Sequence, residues 1–384
     1  MSRTFQRTKH FWVLSIQVAV VNFFVGGFGP AQSLLREDQG TSLKIAGLHG
    51  TALGLASITS GYFNSRIVHK LGRRNTIWLG LGIFSVGILF LVFAPPVQLT
   101  LIAAYIAGFG TSLTINNTTS SAAEDFKASA HVAMNQMNAI AIVGGALGTV
   151  VIGAIATEFR DQWRLGLLLT LPVIFYLFFV RDKDYEKHVP PEHGRQSGKT
   201  AIKMKFSILA FYISIACEFG ISFWAAALLA DRVGSSAALS TLSVFTFAVG
   251  SATGRWYISR LIHHMHIDSQ LKLSFSFELV AFMLFWFSHN IALSIFALFA
   301  LGIGLSIQFT VFSVRAIALS DGRPDLAVGY NALAAGTAIA TSPFILGLLG
   351  DSYGISRAYL LIPALLILGI IIISLFPVKE SATK

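Results

Sequence analysis

Long apolar runs alternate with short polar breaks along the whole chain. Twelve runs of roughly 20 residues or more, the length a helix needs to cross a hydrocarbon core about 30 Å thick, fall at 11–34, 43–66, 75–94, 98–121, 132–157, 162–180, 206–230, 236–262, 269–288, 291–318, 326–350 and 356–377. Lipid offers the backbone no hydrogen bonds and a helix satisfies its own. The pattern therefore predicts an all-α membrane protein with 12 transmembrane helices. Pro95-Pro96 ends the third run, because proline lacks an N–H and clashes with the preceding turn. Asp351, Tyr353 and Gly354 mark a turn before the last run. The first run is too long for a signal-peptide core and no small-residue cleavage site follows it, so it reads as a retained helix.

The longest polar break, Arg181 to Lys205, holds Pro190-Pro191, Gly194 and Ser197 and reads as a flexible cytoplasmic linker. It separates an expected bundle at 1–180 from another at 206–384. Ser65-Arg66-Ile67-Val68-His69-Lys70 reappears as Ser259-Arg260-Leu261-Ile262-His263-His264, 194 positions later, and Asn138-Ala139 as Asn331-Ala332 at an offset of 193. Two nearly equal offsets predict a duplicated unit, giving two pseudo-symmetric six-helix bundles.

Composition agrees: 54% of residues are hydrophobic and 12% charged, about half the charged share of a soluble protein. The 34 glycines suit close helix packing in lipid. A single cysteine, Cys217, excludes an intramolecular disulfide. The net charge of +10 could suggest a nucleic-acid partner, but its distribution argues otherwise. With both termini cytoplasmic, only Arg36, Lys44, Arg160, Arg164, Arg232 and Arg357 face outward, and the other 22 of the 28 Lys and Arg residues face inward. That asymmetry is the positive-inside pattern. It accounts for the charge and predicts a multi-pass inner-membrane protein whose partner is the lipid bilayer, with no nucleic acid.

The loop after the second run, Ser65-Arg66-Ile67-Val68-His69-Lys70-Leu71-Gly72-Arg73-Arg74, resembles the signature loop of the major facilitator superfamily, Gly-x-Leu-x-Asp-Arg-x-Gly-Arg-Arg. Lys70, Gly72, Arg73 and Arg74 fit it, whereas Ser65 replaces its Gly and His69 its Asp. The 6+6 layout and central basic loop are similar to the family too. The resemblance implies two bundles rocking around a central site, with this loop latching the cytoplasmic side; His69 cannot supply the latch's permanent negative charge. On the residues alone, Gly72 permits a tight turn, and Arg73 and Arg74 favour the cytoplasmic leaflet or bond helix-end carbonyls. Simple anchoring and gating both remain open for His69, Lys70, Gly72, Arg73, Arg74, Glu124, Asp125, Arg255 and Arg260. Two exporter motifs of the family are absent: Ala104 stands where an Arg is expected four residues before Gly108, and Gly148-Thr149-Val150-Val151-Ile152-Gly153 lacks the expected Pro. Gly144, Gly145 and Gly148 are left for close packing.

Glu218 is the sharpest functional signal. It lies midway along the seventh run, where a carboxyl group is costly and usually marks an ion or substrate pathway; it is the proton-coupling candidate, with pairing to Arg255 as the structural alternative. Ser207, Phe211, Ser214, Glu218 and Ser222 recur at helical spacing as a mostly polar stripe. Glu278 is a second intramembrane acid, placed by the resemblance on a peripheral helix and next in line for coupling. The fourth run carries a polar stretch from Thr111 to Ser121 that includes Asn116 and Asn117, and His131, Asn135 and Asn138 share a face of the fifth. Amides donate and accept together, which suits a hydroxyl-rich solute; interhelical hydrogen bonding is the plainer account. The cavity candidates are Asn116, Asn117, Asn135, Asn138, Ser214, Ser222, Trp224, Gln308 and Asn331. Trp224 could stack on a sugar ring or simply pack.

The chain shows no Gly-x-x-x-x-Gly-Lys-Ser/Thr loop, no nucleophile–base arrangement, and no acid or Cys beside His263, His264 and His266 except Asp268. No cofactor, metal or enzymatic activity is expected. The sequence predicts a monomeric secondary active transporter taking up a small polar, sugar-like solute by proton symport. Efflux of amphipathic compounds is the alternative within transport; a transport-inactive receptor or lipid-handling protein is the alternative outside it.

Overall fold

The computed structural model describes residues 7–93, 96–126, 130–181, 200–258, 261–262, 265–321 and 324–378. The helices are α1 (Lys9–Phe28), α2 (Gln32–Gln39), α3 (Leu43–Leu71), α4 (Arg73–Phe93), α5 (Val97–Asp125) and α6 (Ala130–Glu158). A 3₁₀ segment, Arg160–Leu169, runs into α7 (Thr170–Val180). Then come α8 (Ile202–Val233), α9 (Ala237–Ser243), α10 (Phe245–Thr253) with a π turn at Gly254–Ile258, and α11 (Ile267–Phe287). The last are α12 (Ile291–Leu305), α13 (Gln308–Ala318), α14 (Pro324–Tyr353), α15 (Ile355–Ala358) and α16 (Leu361–Leu375). Eleven spans among the described residues are long and apolar enough to cross a membrane. The twelfth is α3, whose 29 residues reach about 43 Å at helical rise; Lys44, His49, Ser57, Thr59 and Asn64 lower its hydropathy.

Five predicted spans are broken; the sixth opens as the 3₁₀ segment and the twelfth divides at Tyr359-Leu360. The first stops at Phe28, not residue 34, because Pro30 cannot continue the hydrogen-bond ladder, and the chain restarts as α2. The eighth divides at Val244 and ends in the π turn that carries Arg255. The tenth divides at Ser306-Ile307, just before Gln308. Gly72 turns between α3 and α4 with φ +77, as its lack of a Cβ allows.

By contacts the chain forms two compact units: residues 1–40 with 52–192, and 41–51 with 193–384. The expected 181–205 linker lies outside the described residues from 182 to 199. In the first unit α1 packs along α6 and α4 along α5; in the second α8 packs along α14 and α11 along α12. In span order both units pair first with fifth and third with fourth. Glycines permit close approaches: a Cβ on Gly144 or Gly148 would overlap the α1 backbone at Ala19 or Phe23, and at the crossing of α10 and α12 one on Gly250 or Gly302 would overlap Phe299 or Phe247. This is the close packing expected where lipid supplies no hydrophobic drive between helices. Outward faces carry exposed Phe175, Tyr176, Phe179, Val280 and Leu375, as lipid contact requires.

Within the second unit, both carboxylate oxygens of Asp351 accept from the Leu43 and Lys44 N–H groups at 2.8 Å. They cap the start of α3, whose first N–H groups have no partner inside the helix. A buried ion pair fastens another corner. Arg315, wholly buried near the end of α13, donates from Nε to Asp268 Oδ1 at the start of α11, 2.7 Å away. Its Nη2 donates to the Phe376 carbonyl, and Asp268 Oδ2 accepts from Val378 N–H. Three helix ends are thereby joined. The first unit carries a pair of reversed sign in the corresponding corner: Arg73, opening α4, donates to both carboxylate oxygens of Glu124 near the end of α5, at 3.1 and 2.6 Å. The two pairs differ in exposure, since Glu124 is more than 40% exposed.

Removing one partner of a buried pair strands the other as an uncompensated charge, which costs roughly 3–5 kcal/mol. Arg315→Leu and Asp268→Leu, made singly, should each lower thermal stability in detergent by that order. The double variant should recover much of the loss, because it leaves no stranded charge. Arg73→Leu should cost about 1 kcal/mol or less, as for an exposed pair. Equal losses at the two corners, or a double variant as unstable as the sum of its singles, would contradict this assignment.

Candidate proton and solute site

Several polar groups of the second unit meet at α8. This helix is 32 residues long, about 48 Å at helical rise, with Glu218 at its middle. Glu218 is half-buried. Arg255, on the π turn, lies within electrostatic reach of it.

One turn before Glu218, Ser214 is buried and donates to Gln308 Oε1 at 2.5 Å. Gln308 opens α13 directly after the break at Ser306-Ile307, and its Nε2 donates to Glu278 Oε2 at 2.6 Å. Glu278 is wholly buried on α11, and its Oε1 has no hydrogen-bond partner among the described residues. Glu218 and Cys217 on α8 are within electrostatic reach of Glu278. Ser214, Gln308 and Glu278 therefore form one chain of hydrogen bonds across three helices, with Glu218 and Arg255 within electrostatic reach of each other.

The other predicted positions are distributed differently. Trp224 is wholly buried and its Nε1 donates to the Pro343 carbonyl at 2.8 Å, so it serves as a strut between α8 and α14. Ser222 is half-buried, with a contact to the Phe219 carbonyl at 3.3 Å. Asn331 is buried with Oδ1 unpartnered among the described residues. In the first unit Asn117 is buried and donates to Asn64 Oδ1 and the Leu113 carbonyl at 2.7 and 2.8 Å, the interhelical bond that was the plainer account. Asn116 and Asn138 are exposed, and the side chains of His131 and Asn135 lie outside the described residues. Near the end of α5 Asp125 bonds His10 and Ser121, while His69 and Lys70 at the end of α3 are exposed. Arg260, His263 and His264 lie outside the described residues.

Sequence reasoning placed Glu278 at the periphery and did not connect it to Gln308. The break at Ser306-Ile307, which aims Gln308 inward, leaves no proline or glycine signature at those two positions. The Asp268–Arg315 pair was also missed, since Arg315 was counted only as a cytoplasmic charge.

No curated protein sequence matches the chain. Among solved structures, a bacterial homologue of the human lysosomal transporter Spinster, in an inward-facing and unoccupied conformation, is similar at a TM-score of 0.79 with 13% identity over 96% of each chain. The nucleoside transporter NupG is similar at a TM-score of 0.76 with 11% identity, over 97% of this chain and 100% of that one. At such identities these likenesses establish the fold. The family model of the Major Facilitator Superfamily matches residues 14–319, most of both six-helix units together with the segment that joins them, and the chain belongs to that superfamily of membrane transporters.

Proposed function

We propose that the protein is a proton-coupled uptake transporter for a small polar solute of the sugar or nucleoside kind, working by alternating access in the inner membrane as a monomer. The observation that carries this reading is the placement of Glu218 halfway along α8, within electrostatic reach of Arg255 and one helical turn from the buried Ser214–Gln308–Glu278 chain. A carboxyl group so far from bulk water is retained where an ion or solute passes. The neighbouring hydroxyl and amide groups offer donors and acceptors to a hydroxyl-bearing ring. Nucleosides join sugars in this proposal because NupG, described as a nucleoside transporter, shares the fold. The missing exporter residues, the Arg replaced by Ala104 and the Pro absent from residues 148–153, argue against drug efflux. Gly144 and Gly148 of α6 approach the α1 backbone closely, which gives them a packing role.

The solute can be found by thermal shift, because a ligand that binds only the folded state raises apparent stability. Purified protein screened against sugars, nucleosides, amino acids and lipophilic cations should be stabilised by a member of the first two classes; stabilisation by lipophilic cations alone would favour efflux. Glu218→Gln, which keeps size and hydrogen bonding but removes titration, should retain that thermal shift and lose accumulation driven by a proton gradient. Accumulation equal to the parent's would make Glu218 structural. The orientation, with both termini inside, rests on the basic asymmetry. In a Cys217→Ala background, an impermeant thiol reagent applied to intact cells should label a cysteine introduced at Ser352 and spare one introduced at Ser197. The reverse pattern would invert the topology.

A further inference from the structure

The internal duplication supplies a control for the buried Glu278. Phe84, Gly110 and Thr114 stand 194 positions before Glu278, Gly304 and Gln308, and Val20 stands 194 before Ser214. The helix crossing is the same in both units. A Cβ on Gly110 would press on the α4 backbone at Phe84, and one on Gly304 would press on the α11 backbone at Glu278. Phe84, Thr114 and Val20 are all buried, and Thr114 only returns its hydroxyl to the Gly110 carbonyl. The crossing is thus filled by an aromatic ring in the first unit. The fold does not require an acid at this place, yet the second unit puts one there and equips it with an amide and a hydroxyl.

The geometry points to Glu278 as a proton-binding site whose state is transmitted to α8 through Gln308 and Ser214. The inference deepens the proton-coupled reading above and rests on it. Glu278 is wholly buried, one of its oxygens lacks a partner among the described residues, and its one hydrogen-bonded neighbour is a neutral amide. The titratable groups near it are few. Glu218 and Cys217 on α8 lie within electrostatic reach of it. Neither α12 nor α16, which pack against α11, carries an ionisable residue. On α13 the nearest charge, Arg315, is committed to Asp268.

The amide makes the relay. As a carboxylate, Glu278 can only accept, and it accepts from Gln308 Nε2, which leaves Gln308 Oε1 to take the Ser214 hydroxyl. As a neutral acid, Glu278 gains an O–H that needs an acceptor. Turning the Gln308 amide over presents Oε1 to that proton and Nε2–H to Ser214 Oγ, so the serine hydroxyl must point elsewhere, toward its own helix. No bond other than O–H is made or broken, and the proton is taken from and returned to water. Gln308 is free to serve because it begins a new helix; discontinuous helices are where transporters build ion sites.

Infrared spectroscopy of the purified full chain in lipid, compared between acidic and alkaline buffers, tests this without a solute. The parent should show a pH-dependent carbonyl stretch of a protonated carboxylic acid. Glu278→Gln should remove one component of that band, Glu218→Gln should remove a different component and keep the first, and Ser214→Ala should shift the Glu278 component because the hydrogen-bonded chain is cut. A band that Glu278→Gln leaves unchanged, or whose Glu278 component Ser214→Ala leaves in place, overturns the inference. Should Glu278→Gln fail to fold, Ser214→Ala and Gln308→Leu decide alone, with an unshifted band in both as the contrary result. The broader reading fails separately: it would show as a parent protein that moves solute without moving protons, whatever the infrared band does.

Discussion

A polar group inside a lipid-embedded bundle has no water to turn to, so each one must be matched by another group of the bundle or serve a purpose that offsets its cost. That constraint orders this molecule. Backbone groups are satisfied within helices, and glycines let those helices touch backbone to backbone. Asn117 finds Asn64, Trp224 finds the Pro343 carbonyl, and Arg315 finds Asp268 together with the Phe376 carbonyl. Among the described residues Glu278 still has an oxygen without a hydrogen-bond partner, as Arg315 has Nη1 and Asn117 has Oδ1, and Glu218 sits half-buried in mid-helix. Both acids lie in the second unit, on helices linked by one chain of side-chain hydrogen bonds.

The duplication sharpens the asymmetry. Equivalent corners are fastened by ion pairs of opposite sign, Arg73 with Glu124 and Asp268 with Arg315. The lock is conserved in kind between the units while its charges are exchanged, which shows that the crossing of two helix ends, and not a particular residue, is what each pair secures. At the next level into the membrane the units diverge: Phe84 fills a core position that Glu278 occupies in the other unit. One unit is built chiefly as packing at this level and the other carries titratable chemistry.

Much of the architecture was legible in the sequence because hydropathy acts over lengths of about 20 residues and is little disturbed by tertiary detail. Glu218 stood out for the same reason, as an acid in the middle of an apolar run. What escaped were events set by contacts between helices. No proline marks the break at Ser306-Ile307. The significance of Glu278 appears only when its partner Gln308 is seen, and Asp268 and Arg315 are 47 residues apart in the chain. The stop of α1 at Phe28 was readable from Pro30 but was masked by the apolar residues that follow it.

The central claim is that solute and proton move together in the same direction. Its most direct test is the lumenal pH of proteoliposomes that hold the purified protein and an entrapped pH-sensitive dye, followed as the solute found by thermal shift is added outside. The account predicts that the lumen acidifies as solute enters, and that a protonophore abolishes the signal while leaving solute entry intact. Solute entry with no change in lumenal pH, or with alkalinisation, would contradict it.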